Sequence, residues 1–158
     1  WDVEGVELTK RSASYAISKY KVKVHNKTLE KVGYKSGTFD AVHMSHVIEH
    51  VPDPKETLNE IYRILKKGGY FVIVTPNIDS FQARIFNAKW RSAHKDHLTL
   101  FSIKTLKKYL KNSGFKIIRQ FSYGGLAKGL PPEFLKKPID TLVRILNIGD
   151  VMAFLCKK

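Results

Sequence analysis

With 158 residues, 43% of them hydrophobic, the chain is one domain in size and can bury a core without metals or disulfides, which excludes wholesale disorder. Its single cysteine, Cys156, excludes an intramolecular disulfide framework and any CxxC motif and fits a reducing, cytoplasmic setting, and no apolar run approaches the roughly 18–20 residues of a membrane span. Twenty-eight Lys plus Arg against fourteen Asp plus Glu leave a net charge of +14, which attracts anionic partners and keeps nucleic acid open as one of them.

Residues 3–8 alternate in polarity and predict a short strand that runs into Glu7, Leu8 and Thr9. Ala13, Ala16 and Ile17 at helical spacing predict a helix over 12–20, and 22–25 reads as a second short strand. Gly33, Ser36 and Gly37 make 31–38 a loop, and 39–44 reads as a third strand, apolar enough to be buried. Asp53 then caps a helix, with Pro54 at its first position, Glu56 in its first turn and Leu58, Ile61, Tyr62 and Leu65 as its apolar stripe. Lys66 and Lys67 fall in its last turn, and Gly68-Gly69 stop it. Residues 70–75 are a β-branched and aromatic strand ended by Pro76-Asn77, and 78–100 show little period. Ser102 caps a helix carrying Ile103, Leu106 and Leu110 and closed by Gly114, followed by a strand over 115–121 and a loop over 124–132. Ile139, Leu142, Val143 and Leu146 predict a helix over 138–147 that packs on the core or, as the alternative, forms a lid or an apolar surface, and 151–156 is the last strand. The alternation predicts an α/β domain with a mostly parallel sheet.

The sharpest local string is His46-Val47-Ile48-Glu49-His50, an H-x-x-E-H match. As a zinc-peptidase motif it needs both histidines on one face of a continuous helix, with Glu49 as base. Here the string leaves a strand and runs into Pro52 and Pro54, which disfavour that helix, so no metal ligands are assigned. The other reading places the string at the carboxyl end of a parallel strand, where open α/β sheets bind ligands. Glu7 occupies the same kind of position, and an acidic residue there can accept hydrogen bonds from both hydroxyls of a ribose. The plainer alternative for Glu7 is a solvated turn residue.

Taken together, Gly5 to Thr9, Phe39 to Val42, His46 to Pro54, Leu58 to Arg63 and Leu65 to Gly69 resemble the class I methyltransferases that use S-adenosylmethionine. The similarity is to the group in which the fourth strand leads into an HVLEH-PDP string. His97 to Phe101, Leu106, Leu110 and Gly114-Phe115 are similar to that group's later H-x-x-x-F…L…L…GF segment. The resemblance implies one Rossmann-like methyltransferase domain over 1–158, with a mostly parallel sheet and an antiparallel last strand. It also implies that Glu7 and Leu8 meet the cofactor ribose, that Thr28 and Leu29 cover the adenine edge, and that Met44, Ser45 and His46 flank the methionine part. Thr28 departs from the acidic residue often found there. A larger departure is that the glycines form no G-x-G cluster, and the sequence opens on Trp1. The family's first strand and glycine-rich loop are thus expected upstream, in a longer chain of which this is a fragment. The sheet edges left without that strand could pair with a second copy as a homodimer.

By the same resemblance, the reaction is methyl transfer to an acceptor, with a histidine as general base. His97 is the first candidate and His46 the second. His50, Trp90 and His94 are expected on the substrate side, with Phe81, Phe86 and Tyr123 as further wall residues, and 78–100 and 122–140 as substrate-side insertions. Glu49 and His50 are expected to fix the loop that carries them. The acceptor is expected to be a small molecule or a glycan or lipid precursor. A nucleic-acid acceptor and a non-catalytic binding module of the same shape are the alternatives.

Overall fold

Strands and helices alternate along the chain in a computed structural model, which describes residues 1–125 and 133–158. They fall into two compact units, residues Trp1–Ser36 and Gly37–Lys158.

In the first unit β1 (Glu4–Val6) pairs in parallel with β2 (Lys23–His25), with α1 (Lys10–Tyr20) between them in sequence. Helix α1 ends at Lys21, which takes a left-handed conformation and donates its N–H to the Ile17 carbonyl. The loop expected over 31–38 is in part helical. A single turn, α2 (Leu29–Val32), begins after Thr28 and stops at Gly33, whose φ of +76° suits the residue that has no Cβ.

The second unit carries a four-stranded sheet of order β3-β4-β6-β5, from β3 (Phe39–Ser45), β4 (Leu65–Pro76), β5 (Lys116–Tyr123) and β6 (Val151–Lys157). β3 and β4 run parallel, and both β4 and β5 pair antiparallel with β6. Three strands therefore point one way, and only the last is reversed, as expected. β3 is not buried as its composition suggested. It is an edge strand bonded to β4 alone among the described residues, and its side chains are half-buried or exposed.

Helix α3 (Pro54–Ile64) starts at Asp53, whose Oδ1 accepts from the N–H groups of Lys55 and Glu56, both at 2.9 Å. It buries Leu58, Ile61 and Ile64. Lys66, Lys67 and the Gly68-Gly69 pair are not its final turn and stop. The helix ends one turn earlier, and its end carbonyls Arg63 and Leu65 accept from the Lys158 ammonium at 3.3 and 2.7 Å. Residues 66–69 instead face the single residue Asp40 as an irregularity in β4, with Lys66 Nζ on the Asp40 carboxylate at 2.8 Å. A Cβ on Gly69 would stand 2.9 Å from the Lys66 carbonyl and 3.0 Å from that of Asp40, so the insertion needs glycine there.

Within 78–100 a short helix, α4 (Phe81–Phe86), is capped by Ser80 Oγ on the Ala83 N–H. Helix α5 (Ile103–Asn112) follows its Ser102 cap as expected and buries Leu106 and Leu110. The last helix, α6, spans Glu133–Ile145 and not 138–147, with Pro138 inside it. Only Val143 of its apolar stripe is buried, while Leu142, Ile145 and Leu146 are exposed, so it is less a core helix than its period implied. Residues 126–132, which include most of the loop expected over 124–132 and part of the insertion expected over 122–140, lie outside the described residues.

Candidate functional site

In the first unit the chemistry lies at the carboxyl end of β1. Glu7 stands one residue past the strand, half-buried, and its Oε1 accepts from the Thr9 N–H at 2.7 Å. The Asn26 side chain donates to the carbonyls of Glu7 and Leu8, at 2.8 and 2.6 Å, and so fixes the backbone that carries the carboxylate. Thr28 precedes α2 in an extended conformation, and its hydroxyl makes no cap bond to that helix. Leu29 is half-buried, and Leu8 is exposed. A second carboxylate, Glu4, holds the unit together. It accepts from Lys23 Nζ at 2.8 Å and from the Tyr34 hydroxyl at 3.1 Å, and it pairs with His25 Nε2 at 2.9 Å. Those bonds, Lys23 first and His25 second, hold its pKa down at about 2. Burial and the Glu4 charge push the Tyr34 hydroxyl up to about 12. Nothing in the sequence marked Glu4, whose partners lie 19 to 30 residues away.

In the second unit the string 46–50 follows the end of β3. His46 has a φ of +53°, a conformation uncommon for a residue with a Cβ, and its N–H donates to the Val74 carbonyl at 2.9 Å. The chain thus turns sharply away from β4 at His46, leaving Met44 half-buried and Ser45 exposed. Ile48–His50 is a single 3-10 turn and not a continuous helix, so the two histidines do not take the peptidase arrangement.

That turn points Glu49 inward. Its side chain is 1% exposed, and its Oε2 accepts from Thr75 Oγ1 of β4 at 2.8 Å. Its Oε1 has no hydrogen-bond partner among the described residues, although His46 Nδ1 stands at the ion-pair distance of 3.3 Å. The segment around His97 is tied onto the same turn, because the Glu49 carbonyl accepts from the Thr99 N–H at 3.1 Å. His50 Nδ1 lies 2.7 Å from the Asp96 carbonyl, and His97 Nδ1 lies 2.7 Å from the Ser92 carbonyl. A carbonyl only accepts, so each ring donates from Nδ1, and in the neutral tautomer that this bond selects Nε2 is the lone-pair nitrogen. The rings of His50 and His97 meet edge to face at 4.7 Å, and His94 lies 3.8 Å from His97. Burial lowers the pKa of His97, against the opposing pull of the Ser92 carbonyl, and so favours the neutral ring.

The structure therefore brings His50, His94 and His97 together beside Glu49, and His46 Nδ1 stands 3.3 Å from Oε1 of that carboxylate. It places Trp90 elsewhere, in the core. Trp90 is 3% exposed, and its indole N–H donates at 2.5 Å to Asp150, a buried carboxylate that also pairs with Arg91 Nε at 2.5 Å. Sequence reasoning missed Asp150, since nothing local separates it from an ordinary turn aspartate after Gly149. Phe81 and Tyr123 are exposed, and Phe86 is half-buried. Cys156 is fully buried and its thiol is pushed up to about 12, so it is not a nucleophile. A cleft of about 600 Å³ is lined by Arg84, Lys104, Lys107, Lys108 and Lys111. No helix among the described residues is long and apolar enough to cross a membrane.

The family described as a methyltransferase domain matches residues 1–120. An uncharacterized protein of Methanocaldococcus jannaschii, MJ1123, is 32% identical over 117 residues, covering 73% of this chain and 56% of that protein. The demethylmenaquinone methyltransferase of Listeria welshimeri is 26% identical over 135 residues, covering 72% of this chain and 56% of that enzyme. This chain thus spans little more than half the length of either relative. Among solved structures, a SAM-dependent methyltransferase from Thermotoga maritima superimposes with a TM-score of 0.78 at 27% identity, covering 98% of this chain and 72% of that one. The fold is the Rossmann-like one of these proteins.

Proposed function

The chain belongs to the methyltransferase-domain family, and from that premise we propose that it is part of an S-adenosylmethionine-dependent methyltransferase acting on a small-molecule acceptor. The observation that carries this reading is Glu7. It is a carboxylate at the carboxyl end of a parallel strand, with its backbone fixed by Asn26 and only Oε1 engaged among the described bonds. That leaves an oxygen to accept from ribose hydroxyls, so the residues present fit the cofactor. Thr28 and Leu29 are assigned to the adenine edge. Met44, Ser45 and His46 are assigned to the methionine part, and His46 stands there in the left-handed conformation.

When bound, S-adenosylmethionine supplies a methyl group already activated on a sulfonium. The protein's part is to align the acceptor, exclude water and take a proton from the acceptor atom. His97 and His46 are the candidates for the proton. Burial lowers the pKa of His97 and so favours its neutral ring, and His46 is about half-exposed beside Glu49. The name of one relative, a demethylmenaquinone methyltransferase, supports a small-molecule acceptor.

The test is a calorimetric titration with S-adenosylhomocysteine, the demethylated product. Binding is expected, and Glu7→Ala is expected to weaken it roughly tenfold to a hundredfold, the loss of a charge-assisted hydrogen bond. Equal affinity in the variant would remove Glu7 from the site.

A second reading, a nucleic-acid acceptor, is favoured by the basic cleft along α5. Binding of a mixed RNA oligonucleotide that weakens steeply with salt, and loses slope in Lys107→Ala and Lys111→Ala, would support it. Absence of any such binding would dismiss it.

A further inference from the structure

Glu49, His50 and His97 each offer a ligand atom, and the three atoms lie within 4.8 Å of one another. We propose that they form a divalent metal site of the zinc class. The site assigns to Glu49 and His97 a task that methyl transfer from a sulfonium does not itself require.

Three features set this cluster apart from surface histidines that happen to be neighbours. The first is the donor set. Two imidazoles and one carboxylate are the protein ligands of open, three-ligand zinc sites, and no thiolate is needed. The second is that each donor is held from behind. His50 is oriented by the Asp96 carbonyl, His97 by the Ser92 carbonyl, and Glu49 by the Thr75 hydroxyl. Metal-ligating histidines usually have their second nitrogen held in this way, which fixes the tautomer and aims the other nitrogen. The third is Glu49 Oε1. A buried carboxylate oxygen with no hydrogen bond among the described residues is costly, and a cation held by that carboxylate removes the cost.

His46 Nδ1 is the competing partner for that oxygen. At 3.3 Å it lies near enough for an ion pair but not in hydrogen-bond geometry, and its ring is half-exposed. A tetrahedral zinc would draw the ligand atoms to about 3.4 Å from each other, given bonds of about 2.0–2.1 Å. Small side-chain movements suffice, because His50 is exposed and His97 only half-buried. The same exposure gives the ion a path in. Three protein ligands leave a fourth position for water or for an oxygen of the acceptor. The ring of His94 lies 3.8 Å from that of His97.

With an ion bound, Nε2 of His97 is a ligand and not a base, so His46 is left to accept the proton. The ligands differ from those of the peptidase motif, in which His46 and His50 would bind and Glu49 would act as base.

The experiment uses the chain freed of metal by chelator and titrated with zinc chloride alone, with no cofactor present. Its outcome is therefore separate from that of the methyltransferase reading. One ion per chain is expected, with a rise in melting temperature on adding zinc. Cobalt(II) is expected to give the visible absorption of a tetrahedral site. His97→Ala and His50→Ala are each expected to weaken zinc binding roughly a hundredfold or more, and Thr75→Val, behind Glu49, roughly tenfold to a hundredfold. His43→Ala, on β3 outside the cluster, is expected to leave it unchanged. His50 is exposed, so its variant keeps the fold, and melting without metal checks this for the others. Failure of the wild-type chain to bind zinc or cobalt would overturn the proposal. So would an affinity that survives the His50→Ala, His97→Ala double substitution.

Discussion

In residues 1–36 Ala13 is the one buried apolar side chain, and Val3, Leu8, Tyr15, Ile17 and Tyr20 are exposed. Residues 37–158 bury Phe71, Phe101, Phe154, Leu58, Ile61, Leu106 and Leu110 around one sheet. The first unit is fastened by polar contacts, chiefly to Glu4 and from Asn26, and the second by apolar burial. The difference teaches where each unit's stability is sensitive. Apolar burial resists pH and yields to cavities, whereas a carboxylate hub tolerates small losses of volume and yields to protonation.

Four predictions bear on that contrast, from the largest effect to the smallest. Phe71→Ala empties a fully buried site in β4 and is expected to destabilise the second unit by about 3–5 kcal/mol in urea unfolding. A loss no larger than that of a surface substitution would break the contrast. Thr75→Val keeps the volume but strips Glu49 of its one hydrogen-bond donor among the described residues, at an expected cost of about 1–3 kcal/mol. Asp53→Ala removes the cap of α3 and is expected to cost about 1 kcal/mol, read in the same unfolding curve.

The last concerns acid. Glu4 titrates at about 2 in the folded unit against an ordinary 4.5, so its stabilising contribution is complete above 4.5 and is lost as pH falls through about 2. The amide signals of 4–6 and 23–25 are expected to keep their folded positions until the pH nears that lower value. Glu4→Gln is expected to abolish this dependence while leaving the main unfolding transition of the second unit in place. A variant that titrates like the wild type would move the hub to another residue.

The alternation of elements was legible because most of it rests on local signals. Asp53-Pro54 and Ser102 start helices by hydrogen bonds made within three residues, and the apolar periods of α3 and α5 match the faces that are buried. What was illegible depends on partners distant in sequence. The end of α3 is set by Lys158 and by the insertion at Gly69, which only the Asp40 backbone makes intelligible. Helices α2 and α4, of four and six residues, are too short to show a period. At the site, the H-x-x-E-H string was visible, but the reach of Glu49 to Thr75, 26 residues on, was not. Nor was the return of His97 onto His50, because a segment without period gives no sign of where it packs. Trp90 shows the converse, since an aromatic residue in an irregular segment reads equally as pocket wall or as core until its buried Asp150 partner is seen.

The most direct test is hydrogen exchange with and without saturating S-adenosylhomocysteine, read residue by residue. Slowed exchange at 5–9 is the expected result. Unchanged exchange there would contradict the assignment of Glu7 to the cofactor.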